Sequence, residues 1–156
     1  MLTLNFKNDT IKNEVIEVKF KSYLGIFLSH LSVLVVLFTP VIRLSEIVID
    51  SAGEKVTNIY YVNLVDFIST QGYSLTTFIM LILTAVHLFG LCNALFGMIK
   101  KKHNHFSVNA TFVCSFASAL MGALLLYSKS YALFFVCASS FLIISFCSIK
   151  LIKSES

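Results

Sequence analysis

Tryptophan is absent from this chain, proline occurs once, and charged residues make up only 13% of 156. A typical soluble domain has about 25% charged residues, so this composition cannot dress a water-facing surface. The net charge of +4 does not indicate nucleic acid, because its lysines sit in short clusters between long apolar runs. The cysteines are Cys92, Cys114, Cys137 and Cys147. All lie in apolar sequence, and no C-x-x-C pair occurs. That excludes a disulfide framework and a zinc site, and they read as small hydrophobes. No G-x-S-x-G, H-E-x-x-H or P-loop is present. The acidic residues outside the ends, Glu46, Asp50, Glu54 and Asp66, are scattered over one segment. No catalytic residue, metal ligand or cofactor site is expected, and the chain does not read as an enzyme.

What is abundant is hydrocarbon. Hydrophobic residues reach 57%, phenylalanine alone occurs 15 times, and mean hydropathy is +0.86. A membrane-crossing helix needs about 20 mostly apolar residues. Segments 23–42, 75–99, 106–127 and 131–149 meet that requirement, and none contains Asp, Glu, Lys or Arg. The first is not expected to be cleaved: about twenty mixed residues precede it, and no small-x-small site follows. The expected fold class is an all-α membrane protein. It is a four-transmembrane-helix bundle forming one integral domain over 1–156, and the lipid bilayer is its first partner.

Cytoplasmic loops carry the excess of Lys and Arg. With the N-terminus inside, Lys7, Lys12, Lys19, Lys21, Lys100, Lys101, Lys102, Lys150 and Lys153 all fall inside. Only Arg43, Lys55 and Lys129 fall outside. This places both termini and the loop at 100–105 in the cytoplasm of a multi-pass cell-membrane protein. The polar stretch "KKKHNH" is then an orientation anchor. His103 and His105 lack a nearby third ligand, so metal binding is not expected there. The preceding segment, "NDTIKNEVIEVKFKS", mixes apolar residues with both charges and reads as a short amphipathic helix on the inner surface.

The first outer loop, about 43–74, holds the extracytoplasmic cap. "SEIVID" and "KVTNIYYV" are rich in β-formers and flank a turn at "SAGE", which predicts a β-hairpin. "NLVDFISTQG" predicts a short helix with Asn63 as N-cap and Gly72 just past its end. Tyr60, Tyr61, Leu64 and Phe67 are the candidate partner-binding residues. Strand alternation predicts that the two tyrosines face opposite ways. The order of elements resembles the claudin-like arrangement in topology alone. The Trp, Gly-Leu-Trp and paired Cys of that family's first outer loop have no counterpart here, so no residue role is carried over.

Within the spans, small and polar residues form stripes. These are Gly25, Ser29, Ser32 and Thr39 on the first, and Thr84, His87, Gly90, Ala94 and Gly97 on the second. Thr111, Ser115, Ser118 and Gly122 mark the third. Helices in lipid associate through such residues, so packing is the first expectation. An ionisable group inside a span is a functional candidate, which makes His30, His87 and Asn93 a possible intramembrane polar site. Counted from the inner ends, the two histidines lie about eight and twelve residues deep, an offset of roughly 6 Å at 1.5 Å per residue. That offset is marginal for a shared haem. Pro40 is expected to bend or end the first helix.

These features leave a non-enzymatic membrane protein that acts through a protein partner, as an accessory subunit of a transport or secretion complex. An immunity protein against a membrane-targeting toxin is one alternative, and a small oligomeric channel or transporter is another. The partner is a membrane protein or further copies of the chain.

Orientation is testable by impermeant thiol labelling in a background lacking native cysteines. Ala52→Cys should react from outside, and Ser107→Cys only after the membrane is opened. Reaction of Ser107→Cys in intact cells would invert the topology.

Overall fold

The computed structural model describes the backbone of residues 2–72, 74–100, 105–127 and 129–154, and side chains from residue 15 onward except 105–107. The 101–104 stretch with His103, and the side chain of His105, lie outside the described residues. The element order is α1 (Leu2–Leu37), β1 (Ile42–Ile49), β2 (Lys55–Val62), α2 (Leu64–Gln71), α3 (Leu75–Ile99), α4 (His105–Tyr127) and α5 (Tyr131–Lys153). Among the described residues, four helical segments are long and apolar enough to cross a membrane: Val15–Leu37, Leu75–Ile99, Val108–Tyr127 and Tyr131–Lys153.

Two expectations change at the first helix. The N-terminal segment is not a separate surface helix, because α1 runs unbroken for 36 residues, about 54 Å. Neither proline nor glycine occurs before Gly25 to break it. Its outer end also comes earlier than residue 42. The chain turns at 38–40, where Thr39 Oγ1 donates to the Val36 carbonyl at 2.7 Å. Pro40 cannot continue a helix, and Ile42 already begins β1.

The four long helices alternate in direction and pack in the ring order α1, α3, α4, α5, back to α1. The two chain ends therefore share one end of the bundle, and the hairpin and α2 occupy the other. Much of the outer surface is apolar, with Leu28, Phe78, Phe96, Val113, Phe135 and Leu142 all exposed. A helix apolar on its outside as well as its inside belongs in hydrocarbon.

The interior is two apolar clusters. Toward the hairpin end, Val33, Leu37, Met80, Leu83, Met121, Leu125, Leu133 and Cys137 pack with Ile42, Val62, Leu64 and Phe67 of the cap. Toward the other end, Tyr23, Ile26, Ala94, Val108, Ile144 and Leu151 form a smaller cluster. On α1 the fully buried residues Tyr23, Ile26, His30, Val33 and Leu37 recur at alternating spacings of three and four. That is the seam pattern of a helix held along one line of contact.

The small-residue stripes serve close approach. A Cβ added at Gly90 would fall on the His30 ring, and one at Gly97 on the Tyr23 ring. A Cβ at Gly25 would come 2.9 Å from Cys147 Sγ. So α3 offers two glycines as seats for two rings of α1, and α1 offers one to α5. Thr39 and Ser32 of the first stripe are exposed instead.

Gly90→Ala and Gly97→Ala should each cost about 1–3 kcal/mol, the range for overpacking a close interface. Thermal unfolding in mild detergent reads this as a lower midpoint, with the exposed Ala132→Leu as a neutral control. If Gly90→Ala is as stable as the parent, the α1–α3 seam is looser than described.

Candidate functional site

Two regions hold the residues singled out by sequence. The first is a polar layer between the two apolar clusters. His30 and His87 are both fully buried, and their Nδ1 atoms lie 2.9 Å apart. The rings meet edge to face with centroids 5.1 Å apart. At that distance one Nδ1–H donates to the bare Nδ1 of the other ring, so the two imidazoles are opposite tautomers. Each Nε2 is buried and makes no hydrogen bond to a described residue.

The depth offset expected from sequence does not keep the rings apart. The first apolar helical segment begins at Val15 rather than Tyr23, so His30 sits further from its N-terminal end than a start at Tyr23 implies. Gly90, one turn beyond His87, leaves the His30 ring its place. Asn93 is half-buried on α3. It lies six residues past His87, about 9 Å along the axis and turned by about 120°.

Hydroxyl groups bond α5 to its two neighbours. Ser140 Oγ of α5 donates to the Ser29 carbonyl of α1 at 3.2 Å and lies 3.5 Å from Ser32 Oγ. Ser148 Oγ donates to Thr111 Oγ1 at 3.3 Å, joining α5 to α4. The α1–α3, α1–α5 and α4–α5 seams thus each carry a polar contact, the kind of bond by which helices associate in lipid. No group of three His, Cys, Asp or Glu is placed to hold a metal among the described residues. The pair's chemistry is a mutual hydrogen bond that clamps α1 to α3.

The second region is the hairpin. Its turn is set by Asp50, whose Oδ1 accepts from the Ala52 and Glu54 amides at 2.9 Å each. Gly53 takes the positive φ of 82° that closes it. Pairing runs from Ile42 opposite Val62 to Ile49 opposite Lys55. Directly paired residues share a face and successive residues alternate. One face holds Ile42, Leu44, Glu46, Val48, Val56, Asn58, Tyr60 and Val62, of which Val48 and Val56 are exposed. At the hairpin's foot Ile42 and Val62 are buried in the larger cluster, and Leu44 packs against it. The other face holds Arg43, Ser45, Ile47, Ile49, Lys55, Thr57, Ile59 and Tyr61. There Ile47, Ile49, Ile59 and Tyr61 are 70%, 67%, 51% and 58% exposed.

Tyr60 and Tyr61 do point to opposite faces. Leu64 and Phe67, by contrast, are buried under α2 and rest on the helix ends, so they offer no surface to a partner. The α2 helix is fixed by Asn63, whose Oδ1 accepts from the Asp66 amide at 2.9 Å. Sequence reasoning missed Ile47, Ile49 and Ile59. Their signal was an apolar residue at every second position beside Tyr61, readable once the register is known.

No family model, no curated protein and no solved structure matches this chain.

The His30–His87 bond is measurable by a double-mutant cycle. His87→Leu strands a buried His30 and should cost about 1–3 kcal/mol. The change of both to Leu should cost less than the sum of the singles, with a coupling of about 0.6 kcal/mol or more. Additive singles would mean the rings do not bond. Purified protein should show no haem absorbance and no stoichiometric metal, and a bound metal lost in His87→Ala would make the pair a ligand set.

Proposed function

We propose that this chain is a multi-pass protein of the cell membrane, with both termini in the cytoplasm, that acts without catalysis through a protein partner engaged by its outer hairpin. The observation that carries this reading is the bare apolar face of Ile47, Ile49, Ile59 and Tyr61. A two-stranded hairpin standing alone is marginal in water. This one is anchored only at its foot, and apolar side chains on a projecting arm favour a covering surface. Both strands also keep an open edge, to which another strand can add.

Further features support the reading. The carboxylates Glu46, Asp50, Glu54 and Asp66 are all exposed and dispersed, which suits a surface better than a reaction centre. The bundle interior is filled by two apolar clusters and a bonded polar layer, which favours a partner-binding role over a pore through one copy. A subunit of a transport or secretion complex is the form we favour. An immunity protein that shields a toxin's membrane target would use the same surface, and the identity of the partner separates the two.

Co-purification in mild detergent tests the proposal. The pair Ile47→Ser and Ile59→Ser should leave folding intact and abolish retention of the partner. Tyr61→Ala should weaken retention at normal yield, whereas Tyr60→Ala should lower the amount of folded protein. If a Gly/Ser loop replacing residues 46–58 retains the same partner, the hairpin is not the binding surface.

A further inference from the structure

The turn that closes the hairpin also fixes which of its backbone groups face outward. The Asp50 amide donates to the Glu54 carbonyl at 2.9 Å, so these two residues form a hydrogen-bonded pair. Bonded and non-bonded pairs alternate along an antiparallel ladder. The bonded pairs are then Val48–Val56, Glu46–Asn58, Leu44–Tyr60 and Ile42–Val62. The N–H and C=O groups of Lys55, Thr57, Ile59 and Tyr61 therefore point away from β1, along the free edge of β2. On β1 the corresponding row is Arg43, Ser45, Ile47 and Ile49. The Arg43 amide donates to Ser130 Oγ at 2.9 Å. That bond agrees with an outward N–H at Arg43 and ties the foot of the β1 edge to the α4–α5 turn.

The two edges differ. Edge strands are commonly kept from pairing by charge, proline or a bulge. β1 carries Arg43 and Glu46 within its length, and its foot is occupied. From Val56 to Val62, β2 has no charged residue, proline or glycine, and its register with β1 runs without a bulge. Residues 55–61 are all exposed. Apart from the rungs to β1, their backbone groups make no hydrogen bond among the described residues. An unguarded row of donors and acceptors matches the backbone of an extended peptide. A second copy fits it poorly. Copies in one membrane are related by an axis along the bundle, and the hairpin rises from the bundle end with its foot buried and its tip bare. Such an axis sets β2 beside β2 pointing the same way, with opposite faces turned out and Lys55 against Lys55, a like-charge pair that destabilises a ladder.

We infer that the free edge of β2 receives one extended strand of a different protein, which adds a third strand to the hairpin. This rests on the hairpin reading above and narrows it: recognition runs through the backbone row of Lys55, Thr57, Ile59 and Tyr61, and the partner segment is a strand rather than a helix. On the bare face its side chains lie beside Thr57, Ile59 and Tyr61 and are apolar. Lys55, which makes no ion pair among the described residues, takes a carboxylate at the tip end. A third strand also brings the hairpin to the number at which a sheet with an apolar face becomes stable by itself.

The test uses the full chain in cells, with a photo-crosslinking residue at Lys55 or at Tyr61. Both should trap one segment of the same protein. The two positions are six residues apart on β2, about 20 Å along a strand. The trapped sites should therefore lie about six residues apart in that segment, whereas a bound helix would place them about thirteen apart. Thr57→Pro removes one outward N–H and leaves the rungs to β1 in place, since edge strands admit proline where the N–H faces out. It should cut retention of that protein about tenfold or more by quantitative pull-down, the effect of one hydrogen bond lost with its acceptor left unpaired. Ser45→Pro does the same to the β1 edge and should leave retention within about twofold. Trapped sites about thirteen residues apart, crosslinks only to lipid, or crosslinks only to a differently tagged second copy would overturn the inference. Equal losses from the two prolines would overturn the choice of edge. So would full retention in Thr57→Pro while Ile47→Ser with Ile59→Ser still abolishes it, an outcome that leaves the hairpin reading standing. If the isoleucine pair has no effect either, the hairpin reading itself falls. Should Thr57→Pro fail to fold, the spacing of the sites trapped by the parent backbone decides alone.

Discussion

The seating of two α1 rings on two α3 glycines is the constraint on which the bundle depends. Tyr23 fits over Gly97 and His30 over Gly90, so the axes of α1 and α3 come closer than any side chain at those positions would permit. That approach brings the His30 and His87 Nδ1 atoms to bonding distance. It also fixes the rotation of α1, which turns Ser29 toward α5 and its Ser140 hydroxyl. In lipid, helices gain little from hiding apolar surface, since the tails around them are as apolar as leucine. Shape and polar pairing must therefore specify the arrangement, and here both converge on one seam.

The polar layer and the two apolar clusters divide the work. The clusters fill space, while the bonds between them choose register. A one-residue slide of α1 along α3 would separate the imidazoles and drive both rings into Cβ atoms. The cap is tied to the same frame through the larger cluster, where Ile42, Val62, Leu64 and Phe67 meet the helix ends, and through Ser130. A firm foot under an otherwise bare hairpin holds its exposed apolar side chains at a fixed place above the bundle.

Local chemistry made much of this legible from the residues alone. Composition pointed to a hydrocarbon solvent, and apolar run length placed the second long helix at 75–99. Asn63, Gly72 and the "SAGE" turn act within a few residues of themselves, and so they could be placed without tertiary knowledge. Boundaries were harder wherever apolar sequence continued past the span. Val15, Ile16, Val18 and Phe20 extend the first helix inward among charges, and Val41 and Ile42 read as helix although they belong to the strand that follows. A hydropathy run records apolarity and cannot say which backbone conformation uses it.

The sequence by itself determined the number of long apolar helices, the hairpin, the short capped helix and the stripes of small residues, because each is set by neighbours along the chain. Three-dimensional packing settled that His30 bonds His87, and that Leu64 and Phe67 are buried while Ile47, Ile49 and Ile59 are bare. Those outcomes depend on helix rotation, on the close approach that glycine allows, and on strand register. Helix rotation and close approach are fixed by contacts between residues tens of positions apart, and strand register by pairings from Ile49 with Lys55 to Ile42 with Val62.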